Sequence, residues 1–397
     1  MTTPKINARD LVRASGGPRY AVALAVDALG TGMLRPFLLL YGVKVLALSA
    51  TATGAAMTGG IVVGLAAMPA VGRWLDRGPR SSVVAAAMLV RVVGTVLLLV
   101  APVGDPWLFA AAALFLGIGN QAWPAAHAAL VATVAVGRQR DAALAAARSL
   151  RNAGLGVGAL AAGAALAGGT PALRALAAVT GLAYLIAAAL AWSVHVSADP
   201  AALASASASD VEDDGPGPRM GPLLAANVIY VFCLNVPEIA LPLVLVTQLH
   251  ASPAWSAGIF VTNTVLVVAL QVAVTTWMAR FSRRTALTVA GIILAASYLG
   301  FLAATPLGGG WAAPAIAAVS VLCTLGEIVY AGSATPLVAA IAPPRALGRA
   351  LARFQLSSGF GLAVSPAAIT ALADAGPAAL WGTLAAATLV SAAAVAR

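Results

Sequence analysis

The chain has 397 residues, of which 61% are hydrophobic and only 9% charged, with a mean hydropathy of +0.94. Soluble domains carry about 25% charged residues, so this composition excludes a cytosolic enzyme, a nucleic-acid-binding domain and a disordered chain. A net charge of +10 would point to nucleic acid in a soluble protein; here its placement matters more than its size.

A helix that crosses a bilayer needs about 20 mostly apolar residues. Twelve stretches meet that need, at 20–43, 51–71, 82–103, 107–134, 142–166, 175–195, 221–247, 255–279, 285–304, 312–341, 349–372 and 378–396. None alternates apolar and polar residues over ten positions as a barrel strand does. Span 1 has no small-residue cleavage site behind it and is expected to be retained. Cys233 and Cys323 both lie inside apolar runs and support neither a disulfide framework nor a metal site. The long polar segment 197–219 is rich in Ala, Ser, Asp, Gly and Pro and reads as a linker. The expected organisation is thus a six-helix bundle over 1–196, a linker over 197–219 and a second six-helix bundle over 220–397.

The basic residues fall on one side. Lys5, Arg9, Arg13 and Arg19 precede span 1, and Arg73, Arg77 and Arg80 follow span 2. Arg138, Arg140, Arg148 and Arg151 surround the start of span 5, and Arg219 ends the linker. Arg280, Arg283 and Arg284 follow span 8, Arg345, Arg349 and Arg353 surround the start of span 11, and Arg397 ends the sequence. The opposite loops hold only Lys44 and Arg174. The positive-inside rule predicts a cytoplasmic linker and two cytoplasmic termini.

The halves resemble each other. Residues 119–135 align without gaps on 326–342, and after a two-residue shift Arg148 pairs with Arg353, Gly154 with Gly359 and Gly156 with Gly361. Between spans 2 and 3, RWLDRGPR aligns on TWMARFSR between spans 8 and 9, pairing Trp74 with Trp277, Arg77 with Arg280 and Arg80 with Arg283. Parallel six-helix repeats are a transporter architecture, with substrate held near the midplane.

Twelve spans as six plus six, an acidic central linker and the loop GRWLDRGPR at 72–80 together resemble the major facilitator superfamily. Gly72, Asp76, Arg77 and Arg80 match its signature loop, while the second glycine arrives one position early, as Gly78 before Pro79. The resemblance implies an all-α membrane fold of two six-helix pseudo-repeats, a small-molecule substrate and no cofactor. It also implies a conformational latch at Gly72, Asp76, Arg77 and Arg80 that holds the outward-open state. Physically, Asp76 is suited to the positive end of a helix; alternatively the arginines only set topology. On span 5, GLGVGALAAG resembles a drug-antiporter motif at Gly154, Gly158 and Gly163, with Ala159 in place of its proline. Glycines at these spacings also permit close helix packing by themselves.

Ionisable residues within spans cost about 2.5–3.5 kcal/mol each at the bilayer centre on insertion scales and mark function by default. Five stand out as proton-coupling or substrate candidates: Asp27 and Arg35 on span 1, Arg91 on span 3, Glu238 on span 7 and Glu327 on span 10. Glu327 corresponds to Asn120 in the repeat. Arg91 is expected to neutralise Asp27, while Arg35 and Glu238, each near prolines, are expected to meet as an outer gate. Spans 1, 4, 7 and 10 line the cavity in the family the chain resembles, which makes Asn120, Gln121, Trp123, His127, Tyr230, Asn235 and Tyr330 cavity-lining candidates.

The expected function is a secondary active transporter in the cell (inner) membrane, a proton-coupled efflux antiporter for a small organic molecule, acting as a monomer. Its partners are the substrate, protons and the lipid bilayer, with no nucleic acid. The rival is a symporter or facilitator importing a nutrient or sugar. No G-x-x-x-x-G-K-[S/T] loop occurs, which excludes P-loop ATP hydrolysis in this chain. Three scattered histidines, His127, His195 and His250, give no ligand cluster for a membrane enzyme.

Overall fold

The structure is a computed structural model that describes residues 8–165, 168–196, 220–307 and 310–396. Among these, every regular element is helical. A short α1 (Ala8–Ala14) precedes α2 (Pro18–Leu34), which is joined to α3 (Leu38–Lys44) through the 3-10 turn Arg35–Phe37. Pro36 lies in that turn, and the two helices are bent by 43° there. Then come α4 (Ala50–Arg77), α5 (Arg80–Val100), α6 (Pro106–Val134), α7 (Gly137–Ala165) and α8 (Gly169–Trp192).

Span 7 is not one regular helix. It begins as α9 (Met220–Tyr230), tightens to a 3-10 segment (Val231–Asn235), widens to a π segment (Val236–Ala240), passes through α10 (Leu241–Leu243) and widens again (Val244–Gln248). Pro237 and Pro242 lack the N–H that a regular ladder needs, and the backbone changes pitch around them. The remainder is α11 (Pro253–Met278), α12 (Arg283–Ala304), α13 (Ala312–Ile341), α14 (Leu347–Asp374) and α15 (Pro377–Ala396).

Ten of these helical segments are long and apolar enough to cross a membrane, and the bent α2–α3 pair makes an eleventh. α7, 29 residues long, stands where the fifth span was expected but does not meet the same measure, its first half carrying Arg138, Arg140, Arg148 and Arg151. The chain is an all-α membrane protein.

Two expectations need correction. Most of RWLDRGPR is not a loop: α4 runs on through Asp76 and Arg77, and only Gly78 and Pro79 turn the chain. Likewise α7 begins at Gly137, so Arg138 and Arg140 belong to a helix. In both cases the apolar run was taken to end where the charges begin. A backbone hydrogen-bond ladder does not stop at the edge of the hydrocarbon. The linker 197–219, with Arg219, and the terminal Lys5 and Arg397 lie outside the described residues.

The chain packs as two compact units. The described residues of Met1–Asp214 group with Ala342–Gln355, and those of Gly215–Ile341 with Leu356–Arg397. In the first unit α2 packs on α7 and α8, while α4 and α5 pack on α6. Glycine sets the α2–α7 distance: a side chain at Gly32 would strike the backbone of Gly154 and Leu155, and one at Gly158 would strike that of Leu29 and Gly32. Leu34, Tyr41, Phe109, Leu116 and Tyr184 belong to its buried core. In the second unit α12 packs on α13 and α15, while α9 packs on α15 and α11 on α13.

Candidate functional site

Ionisable side chains in the first unit gather around α2. Asp27 and Arg91 are almost fully buried and form an ion pair at 2.7 Å. Arg91 lies 4.5 Å from the Tyr184 ring centre and donates to the Thr31 hydroxyl at 3.3 Å, which also accepts from Tyr184. The pairing expected between Asp27 and Arg91 is thus present, and it is sealed by α2, α5 and α8 together.

A second group runs from α2 through α6 to α7. The Tyr20 hydroxyl lies 3.0 Å from His127 Nδ1. His127 stacks on Trp123 with centroids 5.1 Å apart and planes within 3°. The Arg151 guanidinium lies 4.8 Å from the Trp123 ring centre. The spacing of His127 four residues after Trp123 puts both rings on one face of α6. Trp123 Nε1, His127 Nε2 and Asn120 Oδ1 are buried and have no hydrogen-bond partner among the described residues. In the sequence Arg151 reads only as one of the basic residues around the start of span 5, and no local pattern points to its contact with Trp123.

The second unit is built differently. Glu327 is buried on α13 and accepts from the Asn263 amide of α11 at 2.9 Å; that amide also donates to Thr324. Tyr330 donates to Asn227 at 2.7 Å and stacks on Tyr230 at 5.4 Å. Asn227 donates in turn to Ser357 and Ser358. Tyr230 is buried, its hydroxyl donating to the Leu287 carbonyl, and Asn235 donates to Ser365. Asn263 is therefore a direct hydrogen-bond partner of the intramembrane acid. Arg35 and Glu238 are both exposed, Arg35 in the turn after α2 and Glu238 in the first π segment of span 7.

The signature residues meet the start of α14. Asp76 Oδ1 accepts from the Gly348 amide at 2.6 Å, and Oδ2 accepts from the Arg349 amide at 3.4 Å and from Arg349 Nε at 2.8 Å. These amides belong to the first turn of α14, where helix N–H groups have no partner within the helix and the dipole favours an anion. Close approach makes this possible. A side chain at Gly72 would sit 3.0 Å from the Arg349 backbone, and one at Gly348 would collide with Leu75 and lie 2.8 Å from Asp76. Arg80 turns the other way, to the Ala129 carbonyl and the Thr133 hydroxyl on α6, and Arg77 is exposed. Of the four signature residues, Gly72 and Asp76 touch α14; Gly348 and Arg349 complete the contact and had no motif to reveal them. Gln121 accepts from Gln355, also on α14, at 3.0 Å. Among the described residues no three His, Cys, Asp or Glu side chains gather to hold a metal ion.

Comparison with known proteins agrees with this architecture. The family model described as Major Facilitator Superfamily matches residues 20–326. No curated protein matches the chain. Among solved structures, the human organic anion transporter MFSD10 (TETRAN) is similar with a TM-score of 0.70 at 16% identity, over 98% of this chain and 100% of that one. A bacterial homologue of the iron transporter ferroportin, in an outward-facing state with soaked iron, is similar with a TM-score of 0.77 at 11% identity, over 95% of this chain and 97% of that one. At these identities the likeness is one of fold.

Proposed function

The chain belongs to the Major Facilitator Superfamily, a membrane transporter and not an enzyme, and on that premise we propose that it exports a small organic molecule by alternating access in exchange for protons. The observation that carries this reading is Glu327, an acid buried in a membrane helix and hydrogen-bonded by the neutral Asn263 amide. Buried carboxylates in spans are expensive to insert and recur as proton relays. In this reading Glu327 takes up and releases the proton, and Asp27 with Arg91 is the fixed charge pair that orders the first bundle.

The Asp76 contact with α14 acts as the latch that must break for the cytoplasmic side to open. Arg35 and Glu238 act as a charge pair at the outer gate. The two bundles, 1–196 and 220–397, are the bodies that rock, with 197–219 as the tether. The location is the inner cell membrane, with both termini and the linker cytoplasmic, as the one-sided arginines support, and the monomer is the working unit. The rival reading is an importer of a nutrient or sugar. The few unengaged neutral polar groups described above favour efflux over a hydroxyl-rich sugar.

The test is reconstitution in proteoliposomes with an imposed pH gradient and a panel of organic solutes. Uphill movement that collapses with the gradient supports proton coupling. Equilibration that ignores the gradient replaces it with a facilitator. A cysteine placed at Ser207 reports the orientation: labelling by an impermeant reagent from outside intact cells overturns it.

A further inference from the structure

The arginines of the first unit outnumber its buried acids. Asp27 is already engaged by Arg91 at 2.7 Å. Arg151 touches Trp123 and feels the like charges of Arg35 and Arg91 together with the Asp27 carboxylate and the Tyr184 phenol. No carboxylate among the described residues forms an ion pair with it. Its backbone lies one helical turn before Gly154, where α7 is pressed against Ala28 of α2. This half-buried guanidinium, under the like charges of Arg35 and Arg91 and with Asp27 already paired, is suited to an anion from outside the described protein.

The groups beside it ask for the same chemistry. Trp123 Nε1 can only donate. If the Tyr20 phenol donates to His127 Nδ1, the neutral imidazole carries its own hydrogen on Nε2 and donates there as well. Both nitrogens are buried without a partner among the described residues, on side chains 5% and 6% exposed. Buried donors left unmade cost about 1–3 kcal/mol each, and an acceptor ligand satisfies them. One acceptor, Asn120 Oδ1, lies one turn before Trp123 and suits a hydroxyl or N–H on the same ligand.

The internal repeat supplies a control. By the alignment that pairs Arg148 with Arg353, Arg151 corresponds to Leu356; by the alignment that pairs Trp123 with Tyr330, His127 corresponds to Ala334. Tyr330 has its hydroxyl satisfied by Asn227. The fold is thus built in the second unit without a cation or an imidazole at these positions.

We propose that Arg151, Trp123 and His127 form a binding site for an organic anion, a carboxylate, sulfonate or phosphonate on a flat apolar body, with Arg151 as its counter-ion and Arg35 adding to the positive field. This names the substrate class of the transporter proposed above and rests on that reading, but its test does not require transport.

The test is binding to the full chain in nanodiscs, measured by calorimetry and thermal unfolding, with naphthalene-2-sulfonate and benzoate against their neutral isosteres naphthalene-2-sulfonamide and benzamide. At least one anion binds and raises the melting temperature, and its isostere does not. Arg151→Gln weakens that binding by about 10- to 100-fold, and Arg151→Lys retains part of it. Without ligand, Arg151→Gln melts at the same or a higher temperature than the native chain, because a charge without a counter-ion has been removed. Discs of phosphatidylcholine and of phosphatidylglycerol separate a soluble anion from a lipid headgroup, and equal binding in both is expected. The proposal is overturned if neither anion binds, if isosteres bind equally, if Arg151→Gln binds unchanged, if that variant unfolds at a lower temperature, or if phosphatidylglycerol displaces the anion. Failure of the transport reading would instead appear as binding without movement of any solute across proteoliposomes.

Discussion

The two units carry a repeated sequence pattern and different chemistry at matching positions. In the first, α6 presents Asn120, Trp123 and His127, with Arg151 of α7 over the indole. In the second, α13 presents Glu327 and Tyr330, and the hydroxyls of Ser357 and Ser358 on α14 reach Asn227. Acid stands where the first copy has an amide, and leucine where it has arginine. The buried acids differ too: Asp27 is held by a guanidinium, Glu327 by a carboxamide. A handful of positions thus separates the two repeats: arginine and imidazole in the first, a carboxylate and hydroxyls in the second.

The contrast between the two acids is sharpest when each is neutralised. Glu327→Gln is expected to abolish uphill transport in proteoliposomes while the protein remains folded and still exchanges substrate; a variant that still concentrates substrate removes Glu327 from the proton path. Asp27→Asn is expected to act on the fold. It leaves Arg91 buried without its partner, at a cost of about 3–5 kcal/mol, seen as a lower melting temperature that Arg91→Met in the same chain recovers. If Asp27→Asn is stable and only uncouples transport, the roles of the two acids are reversed.

The contact of Asp76 with α14 comes next in size. Asp76→Asn weakens charge-assisted hydrogen bonds worth about 1.5–3 kcal/mol, and Gly348→Ala blocks the approach sterically. Both are expected to lower transport and shift cysteine accessibility toward the cytoplasmic side, without loss of folded protein. The second copy has Ala279 where Asp76 stands, so Ala279→Asp is expected to leave both measurements unchanged. The smallest effect is at Arg35 and Glu238, both exposed. A double-mutant cycle on transport rate is expected to give a coupling of about 0.5–1 kcal/mol. Additive losses mean that the side chains do not meet, and Arg35 is then left to the anion.

Much of the fold was legible because a bilayer demands long apolar helices and punishes stray charge. Most of the spans and the pairing of Asp27 with Arg91 follow from that rule. The boundary errors come from its limit: hydropathy reports where the hydrocarbon ends, and α4 and α7 continue as helices past it. The site was less legible. Asp76 had a motif, but Gly348 and Arg349 had none, because a contact between positions so far apart in sequence leaves no local pattern. Arg151 sits among arginines that read as topology signals, and only side-chain geometry separates it from them. Asn263 is an ordinary amide in an apolar helix until Glu327 is seen beside it.

Span 7 changes hydrogen-bonding pitch along Val231–Gln248, and this makes it a screw of adjustable thread. A 3-10 segment rises about 2.0 Å and turns about 120° per residue, against about 1.5 Å and 100° for an α-helix. Rewinding the five residues Val231–Asn235 as α-helix would shorten the segment by about 2.5 Å and rotate everything beyond it by about 100°. Glu238 lies just beyond. A small exchange of backbone hydrogen bonds, with no side chain of Val231–Asn235 changing its chemistry, would therefore swing that carboxylate through more than a quarter of the helix circumference.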